Sequence, residues 1–192
     1  MAHIQKIEII DPKVAERVRK NPIVLQPGIN VLIGPNGSGK STILTGLNRK
    51  WKKQIKLTIS GNGKLNYYAF DFEKDNPRKQ NAFYSDNDRA IAQLAMIMSS
   101  HGESVKTLIA WLLDEKLKDK LMLYDEPEQA LDLEGLQTLV ANARQSPAEQ
   151  IIIATHSPAI ILQPDFHVVE LVDGYKEQIR NHVIALAEIA RQ

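Results

Sequence analysis

The run Gly34-Pro35-Asn36-Gly37-Ser38-Gly39-Lys40-Ser41 follows directly on the apolar, β-branched stretch Ile29–Ile33, and helical spacing resumes over Ser41–Trp51. A buried strand is therefore expected to break into a glycine loop and re-emerge as a helix. The spacing Gly-x-x-x-x-Gly-Lys-Ser fits a phosphate-binding loop at every fixed position. Gly34, Gly37 and Gly39 let backbone N–H groups approach a triphosphate with no side chain between. Asn36 and Ser38 fill out the loop, and the following helix adds free N–H groups and a positive dipole end. Lys40 is a point charge for the β- and γ-phosphates, Ser41 a hydroxyl suited to Mg²⁺, and Thr42 a donor for the α-phosphate. A plain glycine turn would not call for Lys-Ser after its last glycine.

The rest of the chain reads as an α/β fold. Strands are expected at Ile4–Ile10, Ile23–Leu25, Leu121–Tyr124, Ile151–Ala154 and Val168–Val172. Lys56–Ser60 and Leu65–Phe70 read as two strands of a hairpin around Gly61-Asn62-Gly63. Helices are expected over Ala90–Met98, Val105–Leu117, Leu131–Ala143 and Ile179–Arg191, with residues 13–20 a short helix or loop and 71–89 a loop. Strands alternating with helices indicate a sheet with helices against it, and early antiparallel hairpin material is added to it. The 192 residues suit one domain, 1–192.

Leu121-Met122-Leu123-Tyr124 runs into Asp125-Glu126-Pro127. In open α/β sheets ligands bind beyond the carboxyl ends of the strands, so this acidic pair belongs beside the phosphate loop. Asp125 is the expected Mg²⁺ partner of Ser41. Glu126 is placed to orient and deprotonate an attacking water, and Pro127 fixes the turn.

In their order these elements resemble the ATP-binding-cassette superfamily. Gln129-Ala130-Leu131-Asp132 looks like its D-loop, which adds Asp132 to the nucleotide contacts. Thr155-His156-Ser157-Pro158, about 30 residues past Asp125, looks like its switch histidine. The resemblance gives His156, with Lys40 and Glu126, a part in catalysis at the γ-phosphate. Ser99-Ser100-His101-Gly102-Glu103 lies where the family keeps its signature. Ser100 and Gly102 match it, while Ser99, His101 and Glu103 depart from it. The resemblance implies that Ser100 and Gly102 act on ATP held by a second copy, so a homodimer with ATP–Mg²⁺ at its interface is expected. No aromatic residue precedes Trp51 to stack on adenine, which leaves an aliphatic side chain, Arg17 or Arg19 for the base. The family's glutamine loop falls on no clear residue: Asp71-Phe72-Glu73 stands where it is expected, and Gln80 and Gln93 are alternatives.

About 60 residues separate Lys40 from Gly102, fewer than transporter cassettes carry there, and no heptads suggest a coiled coil. The chain thus looks like a small stand-alone cassette with a reduced helical subdomain, similar to the SMC and RecF-like branch. The leading expectation is an ATPase that dimerises with nucleotide and acts with a nuclease or nucleic acid. A transporter subunit docked on a membrane permease is the alternative, ahead of a non-hydrolysing module and a kinase. A net charge of +1, from 24 basic and 23 acidic residues, gives no bulk attraction to nucleic acid or membrane. The basic runs Arg17-Val18-Arg19-Lys20 and Arg49–Lys53 read as solvated faces. There are no cysteines, which excludes disulfides and thiolate metal sites. Glu8, Asp11 and Glu16 rule out a signal peptide in the first 20 residues, and no stretch reaches membrane-spanning length, so a cytoplasmic location is expected.

Overall fold

Two sheets share one core. The computed structural model describes residues 3–47, 55–60, 66–71, 110–118 and 120–191. The first sheet is antiparallel, in the order β2 (Ile23–Val24), β1 (His3–Ile9), β4 (Ile55–Ser60). Ile4 and Ile7 both point inward although their odd spacing would put them on opposite faces of a regular strand. The ladder with β4 slips between Ile4 and Lys6, so Gln5 is the extra residue, and its carbonyl accepts from Leu25 N–H at 2.8 Å. This bulge restores a single apolar face.

The second sheet is parallel throughout, in the order β5 (Asn66–Asp71), β6 (Lys120–Asp125), β7 (Gln150–Ala154), β3 (Gly28–Ile33), β8 (His167–Glu170). Its side chains alternate between two apolar layers, as the period of a strand requires. Leu32, Leu121, Leu123, Ile152 and Ala154 face β1 and the helix α2 (Lys40–Thr45), which contributes Ile43 and Leu44. Val31, Ile33, Met122, Tyr124, Ile151 and Ile153 face the helices α3 (Leu133–Gln145) and α4 (Pro158–Ile161). The short helix α1 (Pro12–Ala15) is capped by Asp11, which accepts from Lys13 and Val14 N–H. The terminal helix α5 (Tyr175–Ile189) packs Tyr175 and Ile179 onto the second layer.

Gln150, fully buried, joins the two sheets. Its Oε1 accepts from Ile4 N–H at 2.9 Å, and its Nε2 donates to the Ile4 and Gln26 carbonyls. Both amide protons and the carbonyl oxygen are bonded, which is what makes a buried amide tolerable.

The expected hairpin over Lys56–Ser60 and Leu65–Phe70 is not formed. β4 pairs antiparallel with β1, from His3 with Ser60 to Ile9 with Ile55, while β5 pairs parallel with β6, from Asn66 with Lys120 to Asp71 with Asp125. The alternating burial of β4 suits an antiparallel sheet with one wetted face. β5 extends the parallel sheet instead. The continuous helix expected over Val105–Leu117 also gives way, from Trp111 on, to two 3₁₀ turns, Trp111–Leu113 and Glu115–Leu117. Leu112 and Leu117 both enter the core, and a spacing of five would put them on different faces of one α-helix. Ala90–Met98, the Gly61–Gly63 turn, Gln80 and Gln93 lie outside the described residues. Among the described residues no helix is long and apolar enough to cross a membrane.

Candidate active site

Register brings the site together. β3, β7 and β6 are consecutive neighbours, with Leu32 opposite Ala154 and Ala154 opposite Asp125. The chain therefore leaves the sheet at Gly34, Thr155 and Glu126 along one edge, the carboxyl end where ligands of such sheets sit. Backbone bonds fix these exits: Thr155 N–H donates to Leu32 C=O at 3.3 Å, and Glu126 N–H to Ala154 C=O at 2.8 Å.

The loop from Gly34 turns through Ser38 N–H donating to Pro35 C=O at 3.1 Å, and α2 begins with Ile43 N–H donating to Gly39 C=O at 2.9 Å. Earlier N–H groups of that turn have no acceptor within the helix and face outward, as at any helix start. Gly39 sits at φ +100°. A Cβ there would lie 2.6 Å from Arg17 O and 2.7 Å from Val18 Cγ2, so only glycine fits. Ser38 is fully buried, its Oγ without a hydrogen-bond partner among the described residues. Gly37, at φ +74°, and Asn36 are exposed, Gly34 is buried and Thr42 half-buried. The Arg17–Arg19 segment considered for the base lies against this loop, with Arg19 N–H donating to Ser38 C=O at 3.2 Å.

Lys40 is 5% exposed and its ammonium is the hub. Nζ donates to Gly34 C=O at 3.1 Å and contacts His156 Nε2 at 2.7 Å. An ammonium only donates, so His156 Nε2 accepts here and the ring proton resides on Nδ1. Burial pulls the Lys40 amine below its ordinary pKa, while Glu126, Asp125 and Glu128 pull it back up. Burial, and then the Lys40 charge, hold His156 below its ordinary value against Glu126 and Glu128. His156 is thus a neutral imidazole at neutral pH.

Ser41 Oγ donates to Asp125 Oδ1 at 3.2 Å. A hydroxyl and a carboxylate this close are the hard oxygen donors that Mg²⁺ takes, so the residues fit that ion. Glu126 adopts the left-handed conformation, φ 49°, which costs a non-glycine residue roughly 1–2 kcal/mol. The kink stands against the extended backbone that Pro127 favours for the residue before it, and Oε1 lies 3.7 Å from His156 Nε2. Gln129 Nε2 donates to the other oxygen, Oε2. Glu128, to which the sequence reading gave no role, accepts from His156 N–H at 2.5 Å. Beside the expected pair Asp125-Glu126, nothing in the spacing of Glu128 and Gln129 marks them out from a solvated turn. Only the adjacency of β6 and β7 reveals these contacts.

Lys40, Ser41, Asp125, Glu126 and His156 thus converge. Asp132 does not join them through its side chain, which accepts from Gly135 N–H at 2.8 Å as the N-cap of α3. Ser100 and Gly102 lie outside the described residues.

The chain is similar to known proteins. Residues 53–162 match the family described as "AAA domain, putative AbiEii toxin, Type IV TA system". The chain is 35% identical over 74 residues to "ABC transporter G family member 31" of Arabidopsis thaliana, covering 38% of this chain but only 5% of that protein. It is 27% identical over 186 residues to "Putative ABC transporter ATP-binding protein PH0132" of Pyrococcus horikoshii, covering 77% of this chain and 70% of that one. The structure of cbiO1 from Clostridium perfringens, part of the ABC transporter complex cbiONQ, superposes with a TM-score of 0.58 at 18% identity, over 100% of this chain and 96% of that one, a likeness of fold. With more than half of its length matched by the family and the phosphate loop, acidic strand end and histidine turn at one sheet edge, the chain belongs to the AAA_21 family and is an ATPase of the ATP-binding-cassette type.

Proposed function

We propose that residues 1–192 act as one ATPase domain that closes with a second copy over two ATP–Mg²⁺ and opens on hydrolysis. The observation that carries this reading is the convergence of Lys40, Ser41, Asp125, Glu126 and His156 at one edge of the sheet. The helix N-terminus and Lys40 bind the β- and γ-phosphates. Ser41 and Asp125 hold Mg²⁺, which when bound offsets charge between those phosphates. Glu126 takes the proton of the water that attacks the γ-phosphate in line. The Lys40 ammonium, which contacts His156 Nε2, would turn its hydrogen bond to a phosphate oxygen, leaving His156 to line the water's path. Ser100 and Gly102 of the second copy, with the turn at Asp132, complete each site, so the dimer is isologous. In this reading the protein is cytoplasmic, and hydrolysis times a nuclease or nucleic-acid partner. The family description, with its toxin of a type IV system, supports a role without a permease.

The test is Glu126→Gln. The variant is expected to bind ATP, to release phosphate about 10²–10⁴-fold more slowly, and to accumulate as a dimer with ATP–Mg²⁺ by light scattering. Turnover at the parent rate would remove Glu126 from the mechanism, and a monomer under those conditions would remove the dimer.

A second reading is supported by the relatives' names, those of transporter ATP-binding proteins. It makes this chain the nucleotide-binding subunit of a permease, and co-purification with a membrane protein distinguishes it.

A further inference from the structure

Glu128 is the acid that neither the phosphate loop nor the attacking water uses, yet it is tied closely to both. It lies in the 3₁₀ turn Pro127–Ala130, whose start is fixed by Pro127 and by the left-handed Glu126. Its Oε1 accepts the backbone N–H of His156, 28 residues on, at 2.5 Å. Its Oε2 is buried and has no hydrogen-bond partner among the described residues. A buried carboxylate oxygen left unbonded is costly, so among the described residues the hydrogen bond to the histidine turn is what ties this side chain down. The other ties of that turn fall on its neighbours and on the ring: Ser157 C=O accepts from Ile160 and Ile161 N–H, and the His156 imidazole meets Lys40. Thr155 N–H reaches Leu32 C=O at 3.3 Å, and Ser157 N–H is taken by Thr155 Oγ1 at 2.9 Å. Among the described residues the His156 N–H has no other acceptor.

We propose that Glu128 is a positioning residue, whose carboxylate holds the His156 turn in register with Glu126 so that imidazole, Lys40 and general base meet at one point. This rests on the roles given above to Glu126 and His156. The two acids then divide the work within one turn. Glu126 exchanges a proton, whereas Glu128 positions the turn through the hydrogen bond it accepts, a bond that an amide oxygen can also accept.

The test compares three variants of the full chain. Glu128→Ala and Glu128→Asp, which remove or shorten the acceptor, should lower kcat for ATP by about 10–100-fold, the loss that misplacing a catalytic group brings, with KM nearly unchanged. Glu128→Gln keeps an oxygen at the same reach and should restore kcat close to the parent, where Glu126→Gln stays inactive. In hydrogen exchange read by mass spectrometry, Ala and Asp should speed exchange of the peptide spanning Thr155–Ser157, and Gln should not. That readout needs no turnover, so it also serves if the parent releases no phosphate, the result that would sink the reading of Glu126 instead. If Ala fails to fold, Asp against Gln decides. Parent kcat and slow exchange in the shortened variant would overturn the proposal, as would a Gln variant as inactive as Glu126→Gln, since the charge would then be doing chemistry.

Discussion

The Lys40 ammonium and the His156 imidazole meet at 2.7 Å, a cation donating to a neutral ring across 116 residues of sequence. Removing the cation must make the ring easier to protonate. In an NMR titration the parent His156 is expected to titrate below the ordinary histidine value of 6.5, and Lys40→Met to move it upward. The sign extends to stability. Above the ordinary value the ring is neutral both folded and unfolded. As pH falls through it the unfolded chain takes up a proton that the folded chain resists, so stability is lost on acidification. A parent midpoint at or above 6.5 would contradict the contact.

Gly39 should tolerate no side chain. Alanine there meets both the left-handed backbone and the Arg17 carbonyl. The conformational cost alone is about 1 kcal/mol, with the overlap added to it. Gly39→Ala should lower the melting temperature and abolish binding of a fluorescent ATP analogue. Gly37→Ala, strained but with open space around it, should fold with less loss. Equal effects would mean that the Arg17–Val18 packing is unimportant.

Ser41 and Asp125 touch each other and fit the same ion. Ser41→Ala and Asp125→Asn should each raise the Mg²⁺ concentration for half-maximal phosphate release by at least about tenfold, since even outer partners of a metal site cost that much. ATP binding in EDTA should change little. A Mg²⁺ dependence identical to the parent's would place the ion elsewhere.

Gln150→Leu removes the partner of three backbone groups at once. The Gln26 C=O keeps Asn30 Nδ2 as a donor, so the loss falls on the Ile4 N–H and C=O and should cost roughly 2 kcal/mol. Urea unfolding is expected to show an earlier midpoint, with the slope recording whether the antiparallel sheet comes away first. No shift would mean that solvent reaches these groups.

How much of this was legible in the sequence follows from the range of each interaction. The phosphate loop is local: Gly34–Ser41 carries its own turn, helix start and lysine, so spacing alone sufficed. Asp125 and Glu126 were read from the buried strand that ends at them and from the carboxyl edge of such a sheet as a place for ligands, whereas His156 was read only through the resemblance to the ATP-binding-cassette superfamily. The pairing of β4 and β5 was not, since Gly61-Asn62-Gly63 suggests a local hairpin, whereas the partner of β4 lies at residues 3–9 and that of β5 at 120–125. Nor were the contacts of Glu128, Gln129 and Gln150, whose meaning depends on strands adjacent in space. Asp132 shows one residue with two readings: at an N-cap, the carboxylate that resembles a nucleotide contact also starts a helix.

β7 begins at Gln150, stitched to the antiparallel sheet, and ends at Ala154, between the exits to Glu126 and Gly34, with every residue buried. It is a strut clamped at both ends. Any change that arrives with the γ-phosphate has no freedom to travel along it and must be absorbed in the turns beyond. The sheets then serve as a fixed bench, and in the proposed cycle movement is left to the short turns around His156 and Glu128.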